Sequence, residues 1–370
     1  MRMVEWKKLG DICEVQRGKR LTKNLLDDNA VYPVYHGGLE PLGKYGQYNR
    51  EANTVMVINV GASAGTVGFS DCRFWSSDGC FCISHSEQVN NKYLFYYLQT
   101  KTHYLQSQVR HAGIPTLDNP VVEKINLPLL SLSEQNRIVG ILDTFTASID
   151  NLKEQIAQRR KQYEHYRDQL LDLEGKEGVK MKTLGETCII KNGYTPSTKE
   201  PSFWENGTLP WFTLEDIRKN GRILKDAIKH ITSLGVKRGG LFPKDSIIIS
   251  TTATIGEYAL IKSDFLCNQQ ITCLAIKEEM KGHLLPKYLY YLSDGIGKWC
   301  KSHVNGGGSL LIVSTSKLIG LQVPLPSLQE QQRIVSILDT FEASIQNLEA
   351  QLSQREKQYE YYRNKLLTFE

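Results

Sequence analysis

The sequence predicts an α+β protein with a pseudo-two-fold internal repeat: two similar globular domains separated by an antiparallel coiled coil of two long helices. The segment RIVGILDTF, which begins at Arg137, returns almost unchanged as RIVSILDTF at Arg333. This offset of 196 residues holds without a gap from 128–174 to 324–370, and about two thirds of the aligned residues are identical. A repeat of this length indicates an internal duplication. Its apolar residues alternate spacings of four and three, which is typical of a coiled coil.

Length and composition are those of an ordinary globular protein. The 370 residues leave room for two or three domains, and 41% hydrophobic with 23% charged residues is a normal balance. No run approaches the roughly 20 apolar residues of a membrane span, and the first residues lack a secretory apolar core. We therefore expect a cytoplasmic protein. The net charge of +5 permits an anionic partner without demonstrating one.

The first globular domain is predicted at 1–133. The run NTVMVINVGASAGTVGF around Val57 reads as a strand, a glycine-bearing turn and a second strand. A helix is predicted at NKYLFYYLQTKTHYLQSQV. The turn lacks the Gly-Lys-Ser/Thr ending of a phosphate-binding loop, so we interpret it as a tight turn between strands.

The first long helix is predicted at 134–174 and the second at 330–370. Each start follows a proline and carries a serine and a glutamate, as helix N-termini do. A helix of about 38 residues is about 57 Å long, which exceeds an ordinary core helix. The predicted seam comprises Ile138, Leu142, Phe145, Ile149, Leu152 and Ile156, with Ile334, Leu338, Phe341, Ile345, Leu348 and Leu352 in the copy.

Two packing arrangements are open for these helices. In the first, the two apolar stripes bury each other, with Arg159 and Arg355 in matching gaps of the pattern. In the second, each helix packs on its own globular domain. The near-identical halves favour the first arrangement, with a pseudo-two-fold axis, antiparallel helices and the domains at opposite ends.

The second globular domain is predicted at 175–329, beginning within the charged linker EGKEG at 174–178. LGETCIIKNGYTPSTK from Leu184 resembles LGDICEVQRGKRLTK from Leu9, and KYLYYL from Lys287 resembles KYLFYYL from Lys92. The offset between the first pair is 175 residues and that of the long-helix repeat is 196, so the second domain carries 21 additional residues between these two landmarks. The two domains are therefore expected to share a scaffold and to differ in their loops.

No catalytic or metal site is predicted. The histidines show no nucleophile-elbow or His-Glu-x-x-His setting, and no dinucleotide-binding glycine motif lies between a strand and a helix. The eight cysteines lie mainly in apolar runs typical of buried, reduced thiols. The densest cluster contains Cys72, Cys80, Cys82 and His85, but Cys80 and Cys82 lack the two-to-four-residue spacing of zinc ligands.

Several motifs together resemble the conserved regions of type I restriction-modification specificity subunits. The helical pattern P-L-x-S-L-x-E-Q-x-R-I-V-x-I-L-D occurs at Pro128 and again at Pro324. WKKLGDICEVQRGKRLTK, YPVYHGGLEPLGKYGQYN, VGASAGTVGF, PWFTLEDI and ISTTATIG extend the resemblance over nearly the whole chain.

The resemblance implies a non-catalytic DNA-binding subunit. Each globular domain would be a target-recognition domain that reads one half of a bipartite double-stranded DNA site. The helices would set the spacer length and dock two modification (methyltransferase) subunits, which flip out the adenine. Those subunits would hold S-adenosylmethionine, so no cofactor is expected in this chain. Restriction subunits with translocase and nuclease activity would complete the complex.

DNA-binding candidates are chosen because base edges are read by polar side chains, while cations hold phosphates. In the first domain they are Lys19, Arg20, Lys23, His36, Lys44, Tyr45, Tyr48, Arg50, Arg73, Arg110 and His111. In the second they are Lys191, Lys199, Arg218, Lys219, Arg222, Lys237, Arg238, Lys298, Lys301 and His303.

Two alternative functions are open. The chain could be a protein-interaction scaffold or decoy that occupies modification subunits without reading DNA, although both globular domains look intact. It could also be a fused methyltransferase, but it lacks a cofactor-binding motif and the length for one.

Overall fold

The computed structural model describes residues 4–304 and 311–369. It divides into two compact units, one formed by Met1–Gln155 with Leu348–Glu370 and the other by Ile156–Asn347. Each unit contains one globular domain and one segment from each long helix.

The strands and helices follow the predicted alternation of mixed domains and long helices. In chain order the strands are β1 (Glu5–Lys8), β2 (Val15–Arg17), β3 (Tyr32–Tyr35), β4 (Gly43–Tyr45), β5 (Thr54–Ile58), β6 (Val67–Ser70), β7 (Trp75–Ser76), β8 (Cys80–Ile83), β9 (Asn126–Leu129), β10 (Lys180–Thr183), β11 (Cys188–Asn192), β12 (Leu209–Phe212), β13 (Ile223–Leu224), β14 (Lys229–Ile231), β15 (Ser246–Ser250), β16 (Tyr258–Ile261), β17 (Leu266–Cys267), β18 (Ile271–Ile276) and β19 (Gln322–Leu325). The helices are α1 (Asn91–Thr100), α2 (Thr102–Ser107), α3 (Asn119–Glu123), α4 (Leu132–Leu171), α5 (Leu184–Thr187), α6 (Leu214–Asn220), α7 (Pro286–Ser302), α8 (Thr315–Ile319) and α9 (Leu328–Leu367).

The first globular domain is built on two small sheets. Strands β2-β8-β5-β6 form an antiparallel sheet, and β4-β3-β7 form a second sheet in which β3 and β7 are parallel. Every residue of β5 is buried, as expected for an apolar run covered on both faces. Helix α1, capped by the Asn90 side chain, contributes Tyr93 and Leu94 to the core.

The second globular domain repeats this scaffold with additions. Its larger sheet has the order β11-β18-β15-β16-β13 and its smaller sheet the order β14-β12-β17. Strand β13 pairs parallel to β16, and it follows helix α6 in an insertion between β12 and β14. In both domains an antiparallel pair, β1 with β9 or β10 with β19, precedes the long helix. The predicted sharing of a scaffold is confirmed.

The two long helices begin in the same way. Gln135, fully buried, accepts a hydrogen bond from Asn90 N and donates to the carbonyl oxygens of Gln88 and Leu130 at 2.8–2.9 Å. Gln331 in α9 repeats all three bonds. These amides tie the first turn of each helix to its own domain.

Each domain packs on the start of one long helix and the end of the other. In the first unit, Ile138 and Leu142 of α4 share a buried cluster with Leu367 of α9. In the second unit, Ile334 and Leu338 of α9 share a cluster that also contacts Leu170 and Leu171 of α4. The predicted seam residues at the helix starts therefore also belong to domain cores, so elements of both predicted packing arrangements occur.

The helix segments pair in antiparallel orientation. In the first unit the ring of Phe145 stacks on Tyr362 at 5.3 Å between centroids, and Lys153 Nζ lies 3.9 Å from Glu356 Oε1. The second unit has the same stacked pair with the helices exchanged, Phe341 on Tyr166 at 5.4 Å.

The remaining seam positions lie along the same helix faces. Ile149 and Ile156 are buried, and Leu152, Ile345, Leu348 and Leu352 are half-buried. The arginines in the gaps of the heptad pattern cover aromatic rings. Arg355 lies over Phe145 at 5.7 Å and Arg159 over Phe341 at 5.8 Å, so the gaps are filled by cation–π contacts.

No helix in the described ranges is long and apolar enough to cross a membrane.

Candidate nucleic-acid interface

In the first domain a glycine allows the chain to cross the edge of the three-stranded sheet β4-β3-β7, which we call the small sheet. Gly18 N donates to Cys80 O at 3.0 Å, and Lys19 N donates to Ser76 O at 2.9 Å. The Trp75 indole donates to Lys19 O at 2.9 Å. A Cβ on Gly18 would lie 2.0 Å from Ser77 O, so only glycine allows this approach.

The second domain makes the same crossing at Gly193. Gly193 N donates to Ile271 O at 2.9 Å, Tyr194 N donates to Cys267 O at 2.8 Å, and the Trp211 indole donates to Tyr194 O at 3.0 Å. A Cβ on Gly193 would lie 2.1 Å from Cys267 O. Gly18 and Gly193 are aligned by the offset of 175 residues, so the duplicated sequence already carried this signal.

The turns beside these glycines are also equivalent. In the first domain Ser77 N donates to Tyr35 O and Cys80 N to Ser77 O. In the second, Asn268 N donates to Phe212 O and Ile271 N to Asn268 O. We call 17–23, 36–38 and 77–79 loop cluster 1. We call 192–199 and 268–270 loop cluster 2.

Loop cluster 1 collects four of the predicted DNA-binding residues of its domain. Lys19, Arg20 and Lys23 are exposed, and no carboxylate within the described ranges pairs with them. His36 Nδ1 lies 3.4 Å from Asp78 Oδ1. These side chains form an exposed basic segment beside the turn.

Lys44 and Tyr45 lie on β4, next to this segment. Lys44 is exposed, and its carbonyl accepts from Asp27 N. The Tyr45 ring meets the Trp75 ring edge-on at 5.1 Å, and the Trp75 indole in turn donates to Lys19 O. The small sheet therefore supports both cationic stretches.

Other candidates in the first domain are engaged in internal contacts. Arg73 pairs with Glu51 at 2.9 Å and lies over the Tyr48 ring at 4.7 Å. Arg110, next to the exposed His111, pairs with Asp118 at 2.7 Å. The Arg50 guanidinium donates to the carbonyl oxygens of residues 17 and 49.

Lys237 contacts Tyr194, and three other candidates of the second domain are exposed. Lys237 Nζ lies 4.4 Å from the Tyr194 ring centre, and Lys237 N donates to the Tyr194 hydroxyl. Lys199 and Arg238 are exposed on the neighbouring loops, and Lys191 is exposed immediately before loop cluster 2.

The candidates on α6 and the chain after it are paired. The Arg218 guanidinium makes a bidentate pair with Glu257, with a shortest distance of 2.7 Å. Lys219 pairs with Glu215 at 2.6 Å. Arg222 covers the Tyr258 ring at 4.5 Å and donates to its hydroxyl.

The candidates on and after α7 contact their own unit to different extents. Lys298 Nζ lies 3.0 Å from Asp294 and 3.7 Å from Asp168 of α4. The His303 ring stacks on Trp299 at 4.3 Å. Lys301 is exposed and passes close to the Gly256 turn.

Two carboxylates that sequence reasoning missed anchor the domains to the helices. Asp143 accepts from Lys92 Nζ at 2.8 Å and from the Tyr96 hydroxyl at 2.7 Å. Burial, together with the bond to Asp143, raises the pKa of Tyr96 well above its ordinary value. Asp339 repeats both contacts with Lys287 and Tyr291. The signal was an aspartate kept in both copies of the motif.

The cysteines are mostly buried. Burial raises the pKa of the Cys80 thiol to about 12, and it also raises the pKa of the Cys82 thiol on the same strand. Cys72 is exposed. Across 4–304 and 311–369, no three His, Cys, Asp or Glu side chains lie close enough to share a metal ion.

The structure defines a class of protein with two similar domains, whose matched backbones carry unlike exposed side chains. The family model for the type I restriction modification DNA specificity domain matches residues 2–159 and again 176–356. The chain belongs to this family.

Relatives cover different shares of the chain. It is 32% identical to the EcoR124I/EcoR124II specificity subunit of Escherichia coli over 99% of this chain and 94% of that one. It is 42% identical to the EcoprrI specificity subunit of Escherichia coli, over 55% of this chain and 53% of that relative. The S subunit structure from M. genitalium superposes with a TM-score of 0.64 at 18% identity, covering 100% and 98% of the two chains, which shows the shared fold.

Proposed function

We propose that the chain is the sequence-specific DNA-binding subunit of a type I restriction-modification complex, with each domain reading one half of a bipartite site. The observation that carries the proposal is the repeated scaffold with altered loops. Gly18 and Gly193 make the same backbone crossing, yet KRLTK follows one and YTPSTK the other. Equal backbones with unequal side chains suit two readers of different sequences.

Exposed cations supply the sequence-independent part of binding. Lys19, Arg20 and Lys23 lie in loop cluster 1. Lys199 lies in loop cluster 2, and Lys237 lies against Tyr194 of that cluster. Cations without a carboxylate partner can bind phosphates without breaking an internal ion pair. Phosphate contacts of this kind fix the register of a protein on DNA and make its affinity depend on salt.

The helices provide a duplicated surface for two modification subunits. On α4 the exposed Arg137 pairs with the half-buried Glu134 at 2.8 Å, and on α9 the exposed Arg333 pairs with the half-buried Glu330 at 2.6 Å. Because the same Arg–Glu pair occurs at the start of both helices, two copies of one partner can bind equivalently. The spacing between half-sites follows from the lengths of α4 and α9.

We assign methylation and cleavage to the partner subunits. The modification subunits would hold S-adenosylmethionine, and restriction subunits would translocate and cut DNA. This chain would contribute recognition without catalysis, in the cytoplasm where the chromosome is accessible.

A domain exchange tests the proposal. The full chain, co-purified with its modification subunits, should methylate adenines in one bipartite sequence. Replacing residues 1–127 with those of a relative should change one half of that sequence and leave the other half unchanged. The unaltered chain purified with the same subunits is the matched control.

Two results would contradict the proposal. An undivided methylated sequence would exclude two separate readers, and a change in both halves after the exchange would exclude independent domains. A complex that assembles but retains no DNA would instead identify a scaffold or decoy.

A further inference from the structure

We propose that the turns Ser77–Gly79 and Asn268–Gln270 are base-reading elements, and that the first reads G·C pairs while the second reads A·T pairs. The inference rests on the proposed DNA-reading function. It goes further by naming the residues and the class of base that each domain takes.

The position of the turns supports a reading role. Each turn lies where the chain after Gly18 or Gly193 crosses the end of the small sheet, so its side chains stand beside that segment. The unpaired cations Lys19, Arg20 and Lys23 flank the first turn, and Lys237 approaches the second through Tyr194. If these cations bind phosphates of the DNA backbone, the turns would lie against the base edges in the adjacent groove.

Loop cluster 1 carries charged reading groups. Arg17 Nε donates to Asp78 O at 3.0 Å, which orients the guanidinium and leaves its terminal amino groups for another acceptor. The Ser77 hydroxyl donates to Asp78 Oδ1 at 3.1 Å, on the side where His36 also approaches. Arginine is the usual partner of the guanine O6 and N7 acceptors, and aspartate can accept from the cytosine amino group.

Loop cluster 2 replaces these groups with neutral amides and hydroxyls. Asn192 occupies the position of Arg17 at the offset of 175 residues, and Gln269 is the middle residue of the turn, as Asp78 is in the first domain. Asn192 Oδ1 accepts from the Thr272 hydroxyl at 2.7 Å. No group with a formal charge remains at the two exchanged positions.

The amide of Gln269 is oriented for adenine. The Thr195 hydroxyl donates to Gln269 Oε1, which holds the exposed amide in one orientation. The oxygen keeps a second lone pair, and in the described part of the chain no hydrogen-bond partner occupies the amide nitrogen. Glutamine in this state can accept from adenine N6 and donate to N7 together.

Point variants in the full complex test the assignment. The chain, co-purified with modification subunits, would methylate a library in which each base of both half-sites is randomised. Gln269→Ala should reduce discrimination at one A·T pair of the half-site read by the second domain by about 5- to 150-fold, because a bidentate contact discriminates by that factor. Asp78→Ala should relax one G·C pair of the other half-site.

Two matched control variants, and one variant that changes the hydrogen-bonding groups of residue 269, test the assignment further. Gln322→Ala and Asp11→Ala alter exposed residues of the same types elsewhere and should leave both half-sites unchanged. Gln269→Glu should move the preference at the affected pair from adenine towards cytosine, because a carboxylate can only accept.

The outcomes separate this inference from the proposed function. If the unaltered chain methylates no bipartite sequence, the proposed function itself fails. If it does, but Gln269→Ala weakens all sequences equally or relaxes a G·C pair, only the assignment of bases to the turns is overturned. Unchanged preferences with both turn variants would have the same consequence.

Discussion

Replacing Gln331 by methionine tests whether the buried amide holds α9 to its domain. Gln331→Met keeps the side-chain length but removes the amide group that makes its hydrogen bonds. Leu285 N and the carbonyl oxygens of His283 and Pro326 each lose a partner at 2.8–2.9 Å. With about 1 kcal/mol per hydrogen bond, the free energy of unfolding should fall by about 3 kcal/mol.

The change should be measurable by thermal unfolding of the full chain. For a domain of this size, about 3 kcal/mol corresponds to a fall in Tm of about 6–12 °C. Gln332→Met is the matched control, because Gln332 is the next residue and its side chain is exposed. A Gln331→Met variant within about 0.5 kcal/mol of this control would refute the reasoning. It would mean that the three backbone groups find other partners.

Four further predictions follow from the packing. Arg355→Ala should lower the free energy of unfolding by about 1 kcal/mol, because the guanidinium covers the Phe145 ring. Urea denaturation measures this change. A stability equal to that of Arg355→Lys would argue against a specific guanidinium contact. Burial raises the pKa of the Cys188 thiol to about 11 from an ordinary 9.0, so this thiol should stabilise the fold below pH 9 and lose that contribution as the pH rises towards 11. At pH 8 a thiol reagent should modify the exposed Cys72 rapidly and Cys188 only after denaturation, and equal rates in the folded chain would contradict the burial. Gly193→Ala should disturb the second half-site alone in methylation assays, because the added carbon meets strand carbonyl oxygens; loss of both half-sites would indicate global unfolding instead.

The duplication could be recognised from the sequence because it is a similarity between two runs of consecutive residues. Heptad spacing determined that two long helices exist, since period and length are properties of consecutive residues. The gaps at Arg159 and Arg355 were visible in the same pattern. Their contacts with Phe341 and Phe145 appear only when the two helices lie side by side.

The DNA-binding candidates illustrate what local sequence leaves open. Lys19 and Arg218 look alike in sequence as surface cations. In the structure, Lys19 is exposed without a carboxylate partner in the described ranges, whereas Glu257 holds Arg218 from 39 residues away. Distant pairing of this kind has no sequence signature, so composition alone could not rank the candidates.

The amino-acid sequence by itself determined the repeat, the mixed domains, the two helices and the family resemblance, because each depends on residue order and spacing. Only the tertiary structure decided that each domain packs on the start of one helix and the end of the other. It also showed that Gly18 and Gly193 carry matched backbone crossings with unlike neighbours. The physical reason is that buried contacts and close backbone approaches join residues far apart in the chain, and their geometry exists only in the folded protein.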